Sequence, residues 1–113
     1  MHLPIRLTAS MVAVTATSDA VIPLAALNES LVAQVMVSVP TPFDGPGALL
    51  TIGTDADRAE LTGTCDLTAG DFAQYMRVLL LPIETAKEFN VYLTAAGSAV
   101  GEARVMMIHA LEY

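Results

Sequence analysis

A chain of 113 residues with 54% apolar residues, a net charge of −7 and five basic residues is long enough for one core, and at this size roughly 65% of the unfolded surface can be buried. The five cations, Arg6, Arg58, Arg77, Lys87 and Arg104, are scattered, which argues against a phosphate-tracking surface and so against nucleic-acid binding. Mean hydropathy is +0.57, high for a small chain that must cover its own surface, and no apolar run approaches the ~20 residues of a spanning helix. The surplus is therefore assigned to subunit contacts and not to a membrane. A single cysteine, Cys65, excludes an intrachain disulfide and a cysteine metal cluster, and its neighbours Leu61 to Leu67 suggest an ordinary buried thiol.

In chain order, Leu3 to Leu7 and Met11 to Thr17 are rich in β-branched and apolar residues and predict an opening strand or a pair of them. The N-terminal MHLPIRLTAS has no long apolar stretch behind a basic segment, so no secretory signal is expected, and the glycosylation triplet Asn28-Glu29-Ser30 is read as chance. Ser18-Asp19 marks a turn. Pro23 ends a short apolar run from Asp19 to Leu24, and residues 24–30 are read as a loop with room for a turn of helix.

From Ser30 the period changes. Leu31, Ala33, Val35, Val37 and Val39 fall on one face and Val32, Gln34, Met36 and Ser38 on the other, the two-residue repeat of a strand. Pro40-Thr41-Pro42-Phe43-Asp44-Gly45-Pro46-Gly47 continues neither helix nor central strand, because proline lacks the donor and glycine favours turns, so a hairpin is expected with its second strand stopping at Gly53. Thr54 to Glu60 is the most acidic patch. Counted from Asp55, the sixth and twelfth positions of a calcium loop hold Glu60 and Asp66 where glycine and glutamate are needed, so a solvated loop is expected and no metal.

Leu61 to Leu67 leads to turn chemistry at 68–71. Phe72 to Arg77 allows a helix, whereas Val78 to Ile83 reads as a strand. Ala86 to Ala95 alternates cleanly, with Phe89, Val91, Leu93 and Ala95 on one face, and predicts a half-buried antiparallel strand. The last strand, Ala103 to Leu111, places Val105, Met107, His109 and Leu111 opposite Arg104, Met106, Ile108 and Ala110; both faces are largely apolar, as in a strand covered on both sides. Seven or eight short strands without an internal repeat predict an all-β fold over residues 1–113, a single antiparallel β-sandwich, with jelly-roll connectivity as one option.

The catalytic inventory is thin. His2 sits at the terminus, His109 on an apolar strand, and a Cys65–His109 nucleophile pair lacks an orienting third group. Gly45, Gly47 and Gly53 form neither a phosphate loop nor a dinucleotide fingerprint. No enzyme, no catalytic residue and no cofactor is expected. Met106 and Met107 are read as soft packing at a core or interface.

Two stretches resemble a known group. VMVSVPTPFDGPGALLTIGTDADRAEL and the closing NVYLTAAGSAVGEARVMMIHALEY are similar to the small β-sandwich structural proteins of tailed-bacteriophage virions, in which a strand leads to a "t-F-x-G" turn and an "l-t-I/V-G-t-x-x-D" strand and the chain closes on "x-G-x-a-x-v-x-V/I". Phe43, Gly45, Leu50, Thr51, Ile52, Gly53, Thr54 and Asp57 carry the first pattern; Gly101, Ala103, Val105 and Tyr113 carry the second. The resemblance covers about half the chain. It implies a non-enzymatic virion component, made in the host cytoplasm and commonly a homotrimer, that binds the major capsid protein or another virion protein. An attachment arm or fibre shaft is not expected in a chain of this size, which favours a compact decoration or head-completion piece, foremost a decoration protein on the capsid exterior, over a neck, head-fibre or tail-tip module. A sugar-binding sandwich is the independent alternative, weakened by the absence of Trp and 5% aromatics. As docking surface the turn Thr41 to Gly47 is expected, with Pro42, Phe43 and Asp44, and Met106 and Met107 as further interface candidates; the other option is an arm at His2 to Arg6.

Overall fold

Eight strands form where β-branched and alternating residues recur: β1 (Ile5–Val14), β2 (Ala20–Leu27), β3 (Ser30–Thr41), β4 (Leu49–Gly53), β5 (Cys65–Asp66), β6 (Ala73–Ile83), β7 (Lys87–Thr94) and β8 (Glu102–Glu112). The computed structural model describes residues 5–15, 18–68 and 73–112, and among these there is no helix. The expected strand ends at Leu3 and Thr17, the turn at 69–71, and His2, Phe72 and Tyr113 lie outside the described residues.

Two four-stranded antiparallel sheets result, a first of order β1-β8-β3-β6 and a second of order β2-β7-β4-β5. Every connection except β4 to β5 crosses from one sheet to the other, so apart from that pair the ladder partners lie far apart in sequence. This winding is the jelly roll. The expected antiparallel sandwich is what forms, and the connectivity the sequence left open is the wound one.

Inward-facing side chains from both sheets share one core: Val32, Val35, Val37, Val39, Val105 and Met107 of the first, Leu50, Ile52, Phe89, Val91 and Leu93 of the second. The predicted inner face of β7 is therefore the observed one. In β3 the predicted face holds for Val35, Val37 and Val39 but fails before them, since Val32 is buried while Leu31 and Ala33 are partly exposed. The cause is a bulge. Between Val32 and Gln34 the register against β8 steps from His109 to Ile108, and against β6 from Leu81 to Val78, so Ala33 is an extra residue that inverts the phase of everything before it. Leu80, left over in the same step of β6, takes a positive φ of 51°.

Three further expectations are corrected. Residues 24–27 are not a loop: β2 runs through Pro23 with a register shift between Pro23 and Ala25, and turns only at Asn28-Glu29. Pro23 is tolerated because β2 is an edge strand. Residues 73–77 are strand and not helix, because pairing with β3 overrides a weak local preference. The proline-rich segment is not a hairpin, since β3 and β4 lie in different sheets; it is a corner that carries the chain across the sandwich.

That corner is held by backbone chemistry. Phe43 donates its amide to Leu67 O at 2.9 Å, Gly45 donates to Ser98 Oγ at 2.9 Å, and the Asp44 carboxylate accepts from the amides of Ala99 and Val100 at 2.7 and 3.3 Å. Residues 95–101 form the return crossing from β7 to β8, and Ser98 closes its turn through Ala96 and Gly97, both at positive φ, as a type I′ turn requires. Phe43 is 2% exposed. Its ring lies against the bare Cα of Gly101, where a Cβ would come within 2.6 Å of both Cδ atoms. Gly101→Ala is therefore expected to destabilise by about 1–3 kcal/mol through overpacking, whereas Gly63→Ala, whose Cβ meets nothing within 4 Å, should be close to neutral. Equal melting temperatures for the two variants would show that the ring does not need that space.

Candidate functional site: the outer face of the first sheet

The outer faces of the two sheets differ in chemistry. On the second sheet the outward row of β7 is Glu88, Asn90, Tyr92 and Thr94, and the loop 54–60 folds over it: the Tyr92 hydroxyl donates to Asp55 Oδ1 at 3.0 Å and the Arg58 guanidinium lies 4.9 Å from the ring centre. This loop is self-consistent. Thr54 donates its amide to Asp57 O, Leu61 to Ile52 O, and Ala59 to the Asp57 carboxylate, while Glu60 pairs with Lys87 at 2.8 Å. A Cβ on Gly53 would strike the backbone of Arg58 and Glu60 at 2.7 and 2.8 Å, so the glycine lets the loop close. Each of the three carboxylates thus has a structural partner, and among the described residues no group of three acidic, histidine or cysteine side chains is placed to hold a metal.

The first sheet presents the opposite surface. Register places Met11 opposite Met106, Met106 opposite Met36, and Met36 opposite Met76, so four of the six methionines form one row across all four strands. Directly opposed residues share a face. The adjacent row is Ala9, Ile108, Gln34 and Val78, and Leu7 and Leu80 extend the patch. Met11 is 73% exposed and Met76 66%, values expected of lysine on a solvated sheet and not of methionine. A shallow hollow of about 310 Å³ opens between Met11, Ala13, Met36, Ser38, Arg104 and Met106. Arg104, held by Glu102 at 3.1 Å, marks the polar end. Long unbranched thioethers suit an apolar surface that has to conform to another.

The interface candidates read from the sequence separate on this frame. Met106 belongs to the row and is partly exposed, but Met107 points inward and is fully buried. Phe43 is core, not an outward anchor; Pro42 is half-buried, and Asp44 is exposed with its carboxylate engaged by the return crossing. β8 is not covered on both sides: the second sheet covers its inner face, and Met106 and Ile108 on the outer face stay partly exposed. Met11, Met36 and Met76 escaped sequence reasoning, although Met36 on the mixed face of β3 was the visible sign.

The reactive side chains do not assemble. Cys65 is buried in β5 of the second sheet, burial raises its thiol pKa, and its Sγ lies 3.9 Å from Gly63 O. His109 is in β8 of the first sheet with Nε2 3.1 Å from Ser10 Oγ and Nδ1 buried without a partner. Burial also lowers the His109 pKa.

Similarity to known proteins is confined to structure. No protein-family model matches the chain, and neither does any curated protein. Among solved structures, a chain of the acid-stable capsid of Helicobacter pylori bacteriophage KHP30 superposes with a TM-score of 0.77 at 13% identity, covering 97% of this chain and 94% of that one. A chain of the cyanophage Pam1 capsid asymmetric unit gives 0.64 at 18% identity, with 96% and 86% covered. A chain of the disulfide-linked Bacillus endospore appendage pili gives 0.54 at 14% identity, with 98% and 92% covered. At such identities the likeness is one of fold.

Because burial lowers the folded pKa of His109 below its ordinary 6.5, the unfolded chain binds the proton more readily, and stability falls as pH drops through that value. Asp44 and Asp66 are shifted the same way, by the Ala99 amide and the Thr68 hydroxyl first, and from an ordinary 3.8 their loss comes only in stronger acid. A melting-temperature profile should therefore decline in two separate steps, and His109→Gln should remove the upper one. An unchanged upper step in that variant would assign it to another group.

Proposed function

We propose that this chain is a structural protein of a bacteriophage virion, a decoration protein on the head exterior that is made in the host cytoplasm and performs no catalysis. The observation that carries the reading is the match to chains of two phage capsid structures, over nearly the whole of both partners. The coverages make those chains only a little longer than this one, a size that suits an accessory component bound to a shell. The apolar row on the first sheet supplies a surface for docking on the major capsid protein, and many symmetric copies would multiply a modest contact. The homotrimer implied by the family resemblance and the pair argued below are two forms of self-assembly that sedimentation separates.

A fibre reading has the appendage neighbour behind it, but linkage by disulfides would have to use the single buried Cys65. Sugar binding finds less support, since Phe43, Phe89 and Tyr92 are buried and none of these rings is offered for stacking.

Electron microscopy of the parent particle tests the role: copies spread over the head support decoration, a ring at one vertex supports the neck or tail, and absence from the particle sinks both. In a binding assay with undecorated heads, Met36→Lys and Met106→Lys should each weaken binding by roughly tenfold or more, because a cation would be desolvated without a partner. Unchanged binding by correctly folded variants would move the docking surface off this face.

A further inference from the structure

We propose that the outer edge of β1 is a pairing edge for a second copy of this chain, joining two first sheets into one eight-stranded sheet about a two-fold axis. The inference goes beyond the virion reading and does not need it. Among the described residues the two sheets end in four strands paired on one side, β1, β6, β2 and β5, and a free edge is a template for further pairing unless something guards it.

Three of the four are guarded. β2 carries Pro23 and a register shift beside it. β5 is two residues long. β6 carries Leu80 at positive φ, then Pro82, and its Tyr75 and Arg77 side chains reach sideways to the carbonyls of Asp66 and Leu61. β1 has none of these devices: ten residues, IRLTASMVAV, pair with β8 from Ile5 opposite Glu112 to Val14 opposite Ala103 without a single shift.

Charge points to the same edge. The chain has twelve acidic residues and a net charge of −7, so two copies repel on approach, yet β1 contains no acidic residue and a single cation, Arg6. Leu7 and Met11, 68% and 73% exposed, are the apolar side chains such a junction would cover. A two-fold axis makes the contact isologous, with β1 antiparallel to its own copy. Because the outer faces must stay on one side, the paired residue numbers sum to an even value, and one residue of β1 meets itself. The outer face of one copy then continues into that of the other, doubling the apolar surface.

The test combines sedimentation of the isolated chain with a cysteine scan over residues 7–13 and with Val78→Cys on β6 as control. The expected result is a dimer in which one scanned position forms its self-disulfide fastest, since an antiparallel pair brings the Cα atoms within the ~4.4–6.8 Å that a disulfide spans. Ala9→Lys with Ala13→Lys should weaken dimerisation roughly tenfold while circular dichroism stays that of the parent, because like charges would oppose across the junction. A monomer at high micromolar concentration, a trimer, or a dimer linked through Val78→Cys with the β1 scan flat would each overturn the proposal.

Discussion

The contact between Phe43 and Gly101 joins two of the crossings at which this chain changes sheets. The segment after β3 carries it from the first sheet to the second, the segment after β7 carries it back, and the ring of one rests on the bare backbone of the other. Hydrogen bonds from Gly45 to Ser98 and from the Ala99 amide to Asp44 leave that end of the sandwich little freedom to splay. β8 begins one residue past Gly101. The register of the strand between β1 and β3, and with it the alignment of the outer rows, is therefore set from this corner.

The family-like motifs acquire physical meaning here. Phe43, Gly45 and Gly101 serve the corner, while Ile52, Gly53, Thr54 and Asp57 let a loop fold back on its own strand. These are solutions to building a small jelly roll, so their presence speaks first of fold. What distinguishes this chain is where it leaves apolar surface uncovered: one sheet has a loop and polar residues on its outside, the other methionine, leucine and valine. Entropy is the cost of a flexible methionine surface, and adaptability to a partner's contour is what it gains.

The regular parts of the fold were legible in the sequence. Phe89, Val91 and Leu93 alternate because β7 lies between two strands with no extra residue against β4, and Val35, Val37 and Val39 do so past the bulge. Leu31 and Ala33 misled because a bulge is set by the partner strands, which local periodicity does not contain. Pro42, Pro46 and the glycines around them announced a change of direction but not which sheet would receive the chain. The methionine row was hidden for a related reason: Met11, Met36, Met76 and Met106 come from four strands and meet only through register.

Cys65 gives the molecule its own reporter of local opening. The thiol sits in a two-residue strand on the rim of the second sheet, 3% exposed, beside the buried Leu61 and Leu67. Short rim elements open at lower free energy than the centre of a sheet, so alkylation of this single thiol would time how often the rim lifts away while the long central strands stay paired.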